Sequence, residues 1–382
     1  MVPVAIAIFT VSAALVGWTY AGYPVFIAML ARLRPRPHRR DADAPLPSVT
    51  FIVPAYNEAQ IIAQKIENVL ALDYPEALRE FIVIADGSSD GTTAVVQSYE
   101  NKGVRLLFQP VRQGKIAAMN RAVPSAGGEI LVFSDANAMM ESDSVRNIVP
   151  NFADPQVACV SGEKRIRPTD DVQAQGESAY WRYEALIKRA DSLASTAIGA
   201  VGEFFAIRRE RYIEMEIDNI IEDFVLSMRL VMEGWRVVYE PRAVVWEEAS
   251  PSLHGEWRRR TRMAAGGFQA IGRLSGLFSP RYGLVTFQFI SHKVLRWLAP
   301  FFMITALASS AVLYRIPVFR AFLGLQILFY LLALVGWGVE SLRGPWKLVR
   351  MIFYFCFANA TALAGFVRFV TGSQSVLWKK AR

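Results

Sequence analysis

Cysteine is scarce: Cys159 and Cys356 are the only two in 382 residues. One lies in an apolar strand-like run and the other in an apolar C-terminal segment. That leaves no disulfide framework and no cysteine-based metal spacing. Charge is absent altogether from residues 1–31. A secretory signal peptide needs a basic start and a shorter apolar core, and both are missing. Two common nucleotide-binding fingerprints, GxGxxG and GxxxxGK followed by Ser or Thr, do not occur. No repeat or low-complexity tract interrupts the chain. The net charge of +8 has no basic patch interleaved with aromatics behind it, so nucleic acid is not the expected partner. The arginines gather at membrane boundaries instead, which fits membrane lipids and phosphates.

What is abundant is apolar. Hydrophobic residues make up 53% of the chain, and the mean hydropathy is +0.25. This is too apolar for an ordinary soluble enzyme and too charged for a bundle of spans alone, so one soluble domain plus membrane helices is expected. A helix crosses a bilayer with about 20 apolar residues, so residues 1–31 can span, with Pro24 a candidate kink. The run "RLRPRPHRR" then puts five arginines in nine residues. It reads as a solvated linker and marks the cytoplasmic side, with the N-terminus outside. Uncharged segments return at 297–314, 321–339 and 351–367. The segment 282–292 either lengthens the first of these or lies at the interface. "ESLRGPWKLVR" fits a basic cytoplasmic loop. Four spans would place the basic tail "LWKKAR" outside, against the positive-inside trend, unless one segment is re-entrant or interfacial.

Between about 46 and 250 strand-like and helical runs alternate. "SVTFIVPAY", "EFIVIAD", "VRLLFQP", "EILVFSDA" and "VACVSG" read as buried strands, and helical segments separate the first four. This predicts a mostly parallel sheet covered on both faces. Ligands of such sheets bind beyond the carboxyl ends of the strands. Tyr56, Asn57 and Glu58 follow the first strand, Asp86 the second, and Asp135 and Asn137 the fourth.

The loop "ADGSSDGT" matches positions 1, 3, 5 and 6 of a calcium loop with Asp86, Ser88, Asp90 and Gly91. Position 12 is Gln97, which cannot supply the closing carboxylate, and a strand precedes the loop where a helix should. "RQGKIAAMN" places Gly114 and Lys115 at a helix start, where free N–H groups and a cation can meet a diphosphate.

"VPAYNE" (53–58), "ADGSSDGT" (85–92), "QGKIAAMN" (113–120), "FSDAN" (133–137), "GEFFAIRR" (202–209) and "IEDF" (221–224) occur in the order found in family 2 glycosyltransferases. The chain resembles their membrane-integrated branch, which includes cellulose, chitin and hyaluronan synthases, over about residues 48 to 270. The resemblance implies a GT-A fold: a Rossmann-like, mostly parallel α/β domain using a nucleotide sugar. By position, Tyr56, Glu58, Asp86 and Lys115 bind the nucleotide. Asp135 begins a metal motif whose second acid is Asn137 here, so a divalent cation, Mg2+ or Mn2+, is implied. Asp223 is the general base, and Glu222 orients its surroundings. Phe204 and Phe205 belong to a region that shapes the acceptor site.

Sugar transfer explains these residue types. The departing diphosphate gathers negative charge that a cation can neutralise, and the incoming hydroxyl must lose a proton to a carboxylate. The competing readings are plain ones. Asp135 and Asn137 could cap a following helix, and two acids in a first turn favour the helix dipole. Either Phe could be core. "EWRRRTRMAAGGFQAI" departs from the Gln-Arg-x-Arg-Trp motif of processive relatives. Arg260 and Arg262 remain, and are expected on the diphosphate. Met263 stands where a stacking Trp would face the acceptor. Helical periodicity places Arg258, Arg262, Gln269 and Arg273 on one face, suiting a helix against the inner leaflet, with Arg258 and Arg273 on anionic lipid.

The expected organisation is a span at 1–31, a basic cytoplasmic linker at 32–45 and the GT-A domain at 46–250. An amphipathic interface region at 251–281 and a membrane region of about three helices at 282–382 follow. The expected function is inverting transfer from a nucleotide sugar, a UDP-sugar by the family's habit. The product is a growing β-linked polysaccharide, with export by the chain's own helices as a corollary. The bacterial-type inner membrane is the expected location. The alternatives are a short glycan on a lipid acceptor, a catalytically silent channel or assembly partner, and, more weakly, a nucleotidyltransferase. Sugar, linkage and oligomeric state are not encoded in any motif.

Overall fold

The computed structural model describes residues 1–169, 172–338 and 347–377. Much of the expected loop at 340–350 and nearly all of the tail 377–382 lie outside the described residues. The strands are β1 (Val49–Ala55), β2 (Arg79–Asp86), β3 (Val104–Gln109), β4 (Ile130–Ser134), β5 (Met139–Met140), β6 (Val157–Ile166), β7 (Phe204–Arg208) and β8 (Arg236–Glu247). They form one sheet in the order β3-β2-β1-β4-β7-β6-β8-β5. β1 pairs in parallel with β2 and β4, β2 with β3, and β6 with β8. β7 is antiparallel to β4 and β6, and β5 to β8. The sheet is mixed with mostly parallel strands. Side chains alternate across it. Ile52, Ile82 and Phe133 enter one apolar cluster, and Phe51, Val53 and Val132 the other.

The basic stretch after the first helix is largely exposed but tied to the domain at several points. The backbone N–H of Arg36 donates to Leu193 (2.7 Å), and Arg236 donates to the carbonyls of Arg36 and Pro37. His38 bonds the Asn151 side chain at 2.6 Å, and Arg40 pairs with Glu240 at 3.5 Å. Proline rigidity and these bonds lay the stretch on the domain.

Among the described residues, four helices are long and apolar enough to cross a membrane: Val2–Leu33, Leu284–Val312, Pro317–Gly338 and Leu348–Val370. In the first, a single π-helical stretch at Trp18–Gly22 precedes Pro24, which sits in the opening turn of Tyr23–Leu33. Segment 282–292 lengthens the second, whose helical path runs unbroken through a π stretch at Ile290–Val294. The first two lie antiparallel, with Trp18 bonded to Ser291 (3.2 Å) and Ser12 to Thr305 (2.8 Å). Phe9 meets Phe319 at the far end, centroids 5.2 Å apart. The third helix returns, and Gly336 closes on Phe353 and Val349.

The last helix takes another course. It lies beside Leu253–Arg273, with Trp257 against Phe357 (5.6 Å) and Phe268 against Phe366 (5.1 Å). A Cβ on Gly365 would stand 2.6 Å from that of Ala264, so only glycine permits this approach. Leu253–Arg273 is held at both ends by the domain: Glu256 accepts from Ser250 (2.7 Å), and Arg273 pairs with Asp218 (2.6 Å). The last helix thus packs on both Leu253–Arg273 and the membrane helices, with Asn359 accepting from Tyr20 (3.1 Å) and Phe366 against Phe301 (4.9 Å), and residues 373–377 reach the domain, with Leu377 beside Gly114. Of the two arginines expected on lipid, Arg258 is exposed and Arg273 turns to protein carboxylates. Leu253–Arg273 is packed between domain and membrane helices, burying Thr261, Ala264, Ala265 and Phe268. Arg273 binds protein carboxylates, not lipid, and Gln269 clasps Asp218 and Ile220 through their backbones.

Candidate active site

The site grows from loops at the carboxyl ends of β1, β2 and β4. The first two are lashed together. Ala59 N–H donates to Asp90 (3.1 Å), Glu58 N–H to Thr92 (2.8 Å), and Ser89 N–H to the Asn57 side chain (2.8 Å). Asn57 holds φ at 53°, a left-handed conformation that Asn tolerates better than most residues. Asp90 is thus a structural clasp. Asp86, 3% exposed, accepts from the N–H groups of Gln113 (2.9 Å) and Gly114 (2.6 Å) and from Arg121 (3.1 Å). Gly114 caps the helix Lys115–Ala122 with φ of 100°, which disfavours side chains. Asp86 so aims Lys115 into the site.

The Lys115 ammonium lies 2.7 Å from Asp135, 2.8 Å from Glu222 and 3.3 Å from the Gly202 carbonyl. Burial alone would lower it, but the two carboxylates more than reverse this and hold it above its ordinary range. Glu222 and Asp223 open the helix Glu222–Met232, whose N-cap, Ile221, makes no side-chain cap bond. Burial and then the neighbouring Glu222 push the Asp223 carboxyl up to about 7. Gly202 makes room for that carboxyl: a Cβ there would stand 3.1 Å from Asp223 Cγ and Oδ2.

Two adjoining cavities, about 110 and 1780 Å³, share Lys115, Asp135, Asn137, Glu222 and Arg262 as walls. Tyr56, Glu58 and Asp86 line the smaller. Asp223, Arg260 and Met263 line only the larger, which continues to Tyr20, Arg296 and Asn359 on the membrane helices. The two expected diphosphate arginines part here. Arg262 reaches both cavities, whereas Arg260 turns to Glu256 (2.5 Å) and the Tyr180 ring (4.5 Å). Phe204 and Phe205 line neither cavity. Both are fully buried, in clusters on opposite sheet faces, so both take the core reading.

The helix-cap reading of Asp135 and Asn137 fails, because β5 follows them and the next helix starts at Ser144. The Asn137 amide nitrogen donates to Glu247, which turns its oxygen the other way. One carboxylate at Asp135 and one neutral oxygen at Asn137 fit a hard cation that also takes substrate phosphates. Among the described residues no three His, Cys, Asp or Glu side chains gather as a complete metal site. Asp135 already draws a cation, the Lys115 ammonium.

Several site residues carry no sequence signal. Arg112 stacks on the Tyr56 ring at 3.6 Å. Fully buried Lys65 donates to the Ser134 hydroxyl (2.7 Å) and the Ala138 carbonyl, clamping both ends of the Asp135 loop. Lys164 binds Glu203 (2.5 Å) and Glu247. Against burial it holds Glu203 down to about 2. Val376 and Leu377 come to the cavity walls from the far end of the chain. Each meets its partners only through the fold.

The sequence profile described as "Glycosyltransferase like family 2" matches residues 47–266, which include all these loops. The chain belongs to this family. It is 30% identical over 252 residues to the poly-β-1,6-N-acetyl-D-glucosamine synthase of Staphylococcus aureus (strain COL), covering 64% of this chain and 61% of that one. The corresponding synthase of Staphylococcus epidermidis is 29% identical over 232 residues, 59% of this chain and 56% of that one. The chain thus matches about three fifths of these relatives' length. A mannosyltransferase from Pyrobaculum calidifontis, solved with GDP-Man and Mn2+, superposes with a TM-score of 0.73. It is 25% identical over 95% of this chain and 99% of its own. The family match, the GT-A-like sheet and the apolar helices favour the glycosyltransferase reading over a silent channel or a nucleotidyltransferase.

Proposed function

We propose that this chain moves a sugar from a nucleoside diphosphate sugar, a UDP-sugar, onto a growing β-linked saccharide at a membrane, with inversion at the sugar carbon. The supporting observation is the pair of joined cavities: Lys115, Asp135 and Asn137 stand at their junction, and Asp223 faces the larger one. The smaller takes the nucleotide against Tyr56 and Asp86. Lys115 and Arg262 meet the diphosphate. Asp223 accepts the acceptor hydroxyl proton as that oxygen bonds to the sugar carbon and the bond to the diphosphate oxygen breaks. Mg2+ or Mn2+ held by Asp135 and Asn137 would neutralise the departing diphosphate. Glu222 holds Lys115 and raises the basicity of Asp223.

The similarity to poly-N-acetylglucosamine synthases favours a polysaccharide, which the chain would pass along the larger cavity and export. A glycan on a lipid acceptor is the second reading, and the reach of that cavity favours it. Its lining from the first helix is Tyr20, and from Leu284–Val312 it is Lys293, Arg296 and Trp297. These lie toward the domain end of each helix, where a lipid-borne acceptor arrives from the bilayer. We place the domain boundaries at 46 and 250, with the catalytic domain in the cytoplasm of a bacterial-type inner membrane. Membranes incubated with radiolabelled UDP- and GDP-sugars test the reading. Incorporation from one donor supports it, and its failure with every donor overturns it. Product sizing and organic extraction separate polymer from lipid-linked glycan.

A further inference from the structure

The helix Val172–Ala194 buries Glu177 near its start and three more charged residues, Glu184, Lys188 and Asp191, in its second half. Their spacing, i, i+4 and i+7, stacks them along one helix face. The outer two face membrane helices. Glu184 accepts from Lys293 (2.6 Å) and Arg296 (2.5 Å), and Asp191 from Gln288 (3.1 Å) and the Tyr23 hydroxyl, with His292 at 2.6 Å. Lys188 between them faces the catalytic side. Its ammonium donates to the carbonyls of Gly199 and Ala200, both at 3.0 Å. No ion pair to Lys188 occurs among the described residues. A buried ammonium held by carbonyls alone is a costly arrangement, not a default of packing.

The turn it holds carries the carboxylate's support. Ala200 N–H donates to the Ser227 hydroxyl and Val201 N–H to the Ser161 hydroxyl, both at 3.0 Å. Gly202 follows, against the Asp223 carboxyl, and its carbonyl accepts from Lys115. Ser227 also donates to the Asp223 backbone carbonyl at 2.7 Å. Shifting residues 199–202 therefore shifts the wall on which Asp223 rests.

We propose that Lys188 is a positioning residue for the Asp223 carboxylate, fixing the 199–202 turn in register with the first two membrane helices through Glu184 and Asp191. It touches no reacting atom and rests on the reading of Asp223 as the base. Charge acts alongside geometry. Burial, Glu222 and Glu203 push the Asp223 carboxyl up, while Lys115 and Lys188 pull it down. Arg262 faces the same carboxyl.

Lys188→Met, Lys188→Gln and Lys188→Arg in the full chain, purified in nanodiscs with Mn2+, test this. The donors are UDP-N-acetylglucosamine and GDP-mannose, and the readouts are transfer kinetics and amide hydrogen exchange. For Lys188→Met, kcat drops on the order of 10²-fold, as for a displaced catalytic group, while donor KM holds. Its acidic limb moves to higher pH, because a cation beside the base is gone. Exchange rises at 200 and 201 and is unchanged in β1 and β2. Lys188→Arg keeps the wild-type limb, and Lys188→Gln shifts it. A folded Lys188→Met with wild-type kcat, pH profile and exchange overturns the proposal. If that variant does not fold, a Lys188→Gln limb identical to wild type does so. The exchange arm needs no substrate. It still decides if neither donor is used or if Asp223→Asn proves active, and those two results count against the functional reading alone.

Discussion

At the residue scale, Asp223 is distinguished from a helix-turn acid by its surroundings. Burial and the adjacent Glu222 hold its carboxyl near 7, within reach of the working pH of a general base. We predict that kcat falls along an acidic limb with midpoint near pH 7, and that Glu222→Gln moves this limb lower. A pH–rate profile flat down to pH 5 removes Asp223 as base. Asp223→Asn keeps donor binding and loses transfer by about 10²–10⁴-fold in single-turnover assays. A stability sign accompanies this. The folded value lies above the unfolded one of about 3.9, so stability is lost as pH rises from there through about 7. Asp223→Asn should therefore raise Tm at pH 8 and leave it unchanged at pH 4, where loss of a helix cap would lower both. Asp135→Ala behaves oppositely: donor binding stops responding to Mn2+, and transfer goes with it. Titration calorimetry with and without Mn2+ reads this directly.

At the scale of elements, periodicity made the first four strands, the loop motifs and the helix after Ile221 legible, because local alternation and short spacing encode them. Long-range partners encode the rest. β7 reads as any aromatic strand, and nothing local says that it runs antiparallel between β4 and β6. The arginine face of Leu253–Arg273 suits lipid by its own pattern, but the acid that claims Arg273 sits at Asp218. The small residues Ala264, Ala265, Gly266 and Gly267 were the overlooked sign. Small side chains on a helix face admit another helix, here through Gly365 and Trp297. Gly365→Leu should force this pair apart. Overpacking costs about 1–3 kcal/mol, seen as a lower Tm in detergent. Transfer should fall as well, since Met263 and Arg262 ride on the displaced helix. Unchanged Tm and activity would show that the two helices do not depend on this contact.

For the whole molecule, the charge pattern and the number of crossings are tied together. Leu348–Val370 is apolar enough to span, and four crossings would put the basic C-terminal tail outside. Yet its beginning meets the domain at Gly176, through Tyr354. Its last turns lie on Ala264, and the residues after it reach Gly114. It also packs on the other membrane helices, with Asn359 accepting from Tyr20 (3.1 Å) and Phe355 against Phe329 (5.8 Å). We predict three crossings, at Val2–Leu33, Leu284–Val312 and Pro317–Gly338, with Leu348–Val370 lying at the interface, because the charge pattern then follows the positive-inside trend. The arginines at 32–40, the basic residues Arg343, Lys347 and Arg350, and the tail Lys379, Lys380 and Arg382 then share one side. Only Arg315 and Arg320 lie opposite, as the positive-inside trend asks. Reporters fused at Ser48 and after Arg382 should both report the cytoplasm, and a cysteine placed at Ile316 should react with a membrane-impermeant maleimide in intact cells. A C-terminal reporter on the outer face would restore the fourth crossing and pull residues 373–377 away from the donor cavity. Opposite signals from Ser48 and Ile316, with a cytoplasmic C-terminus, would fix an odd number of crossings. The catalytic domain then faces the compartment that holds nucleotide sugars, with its larger cavity opening toward the bilayer.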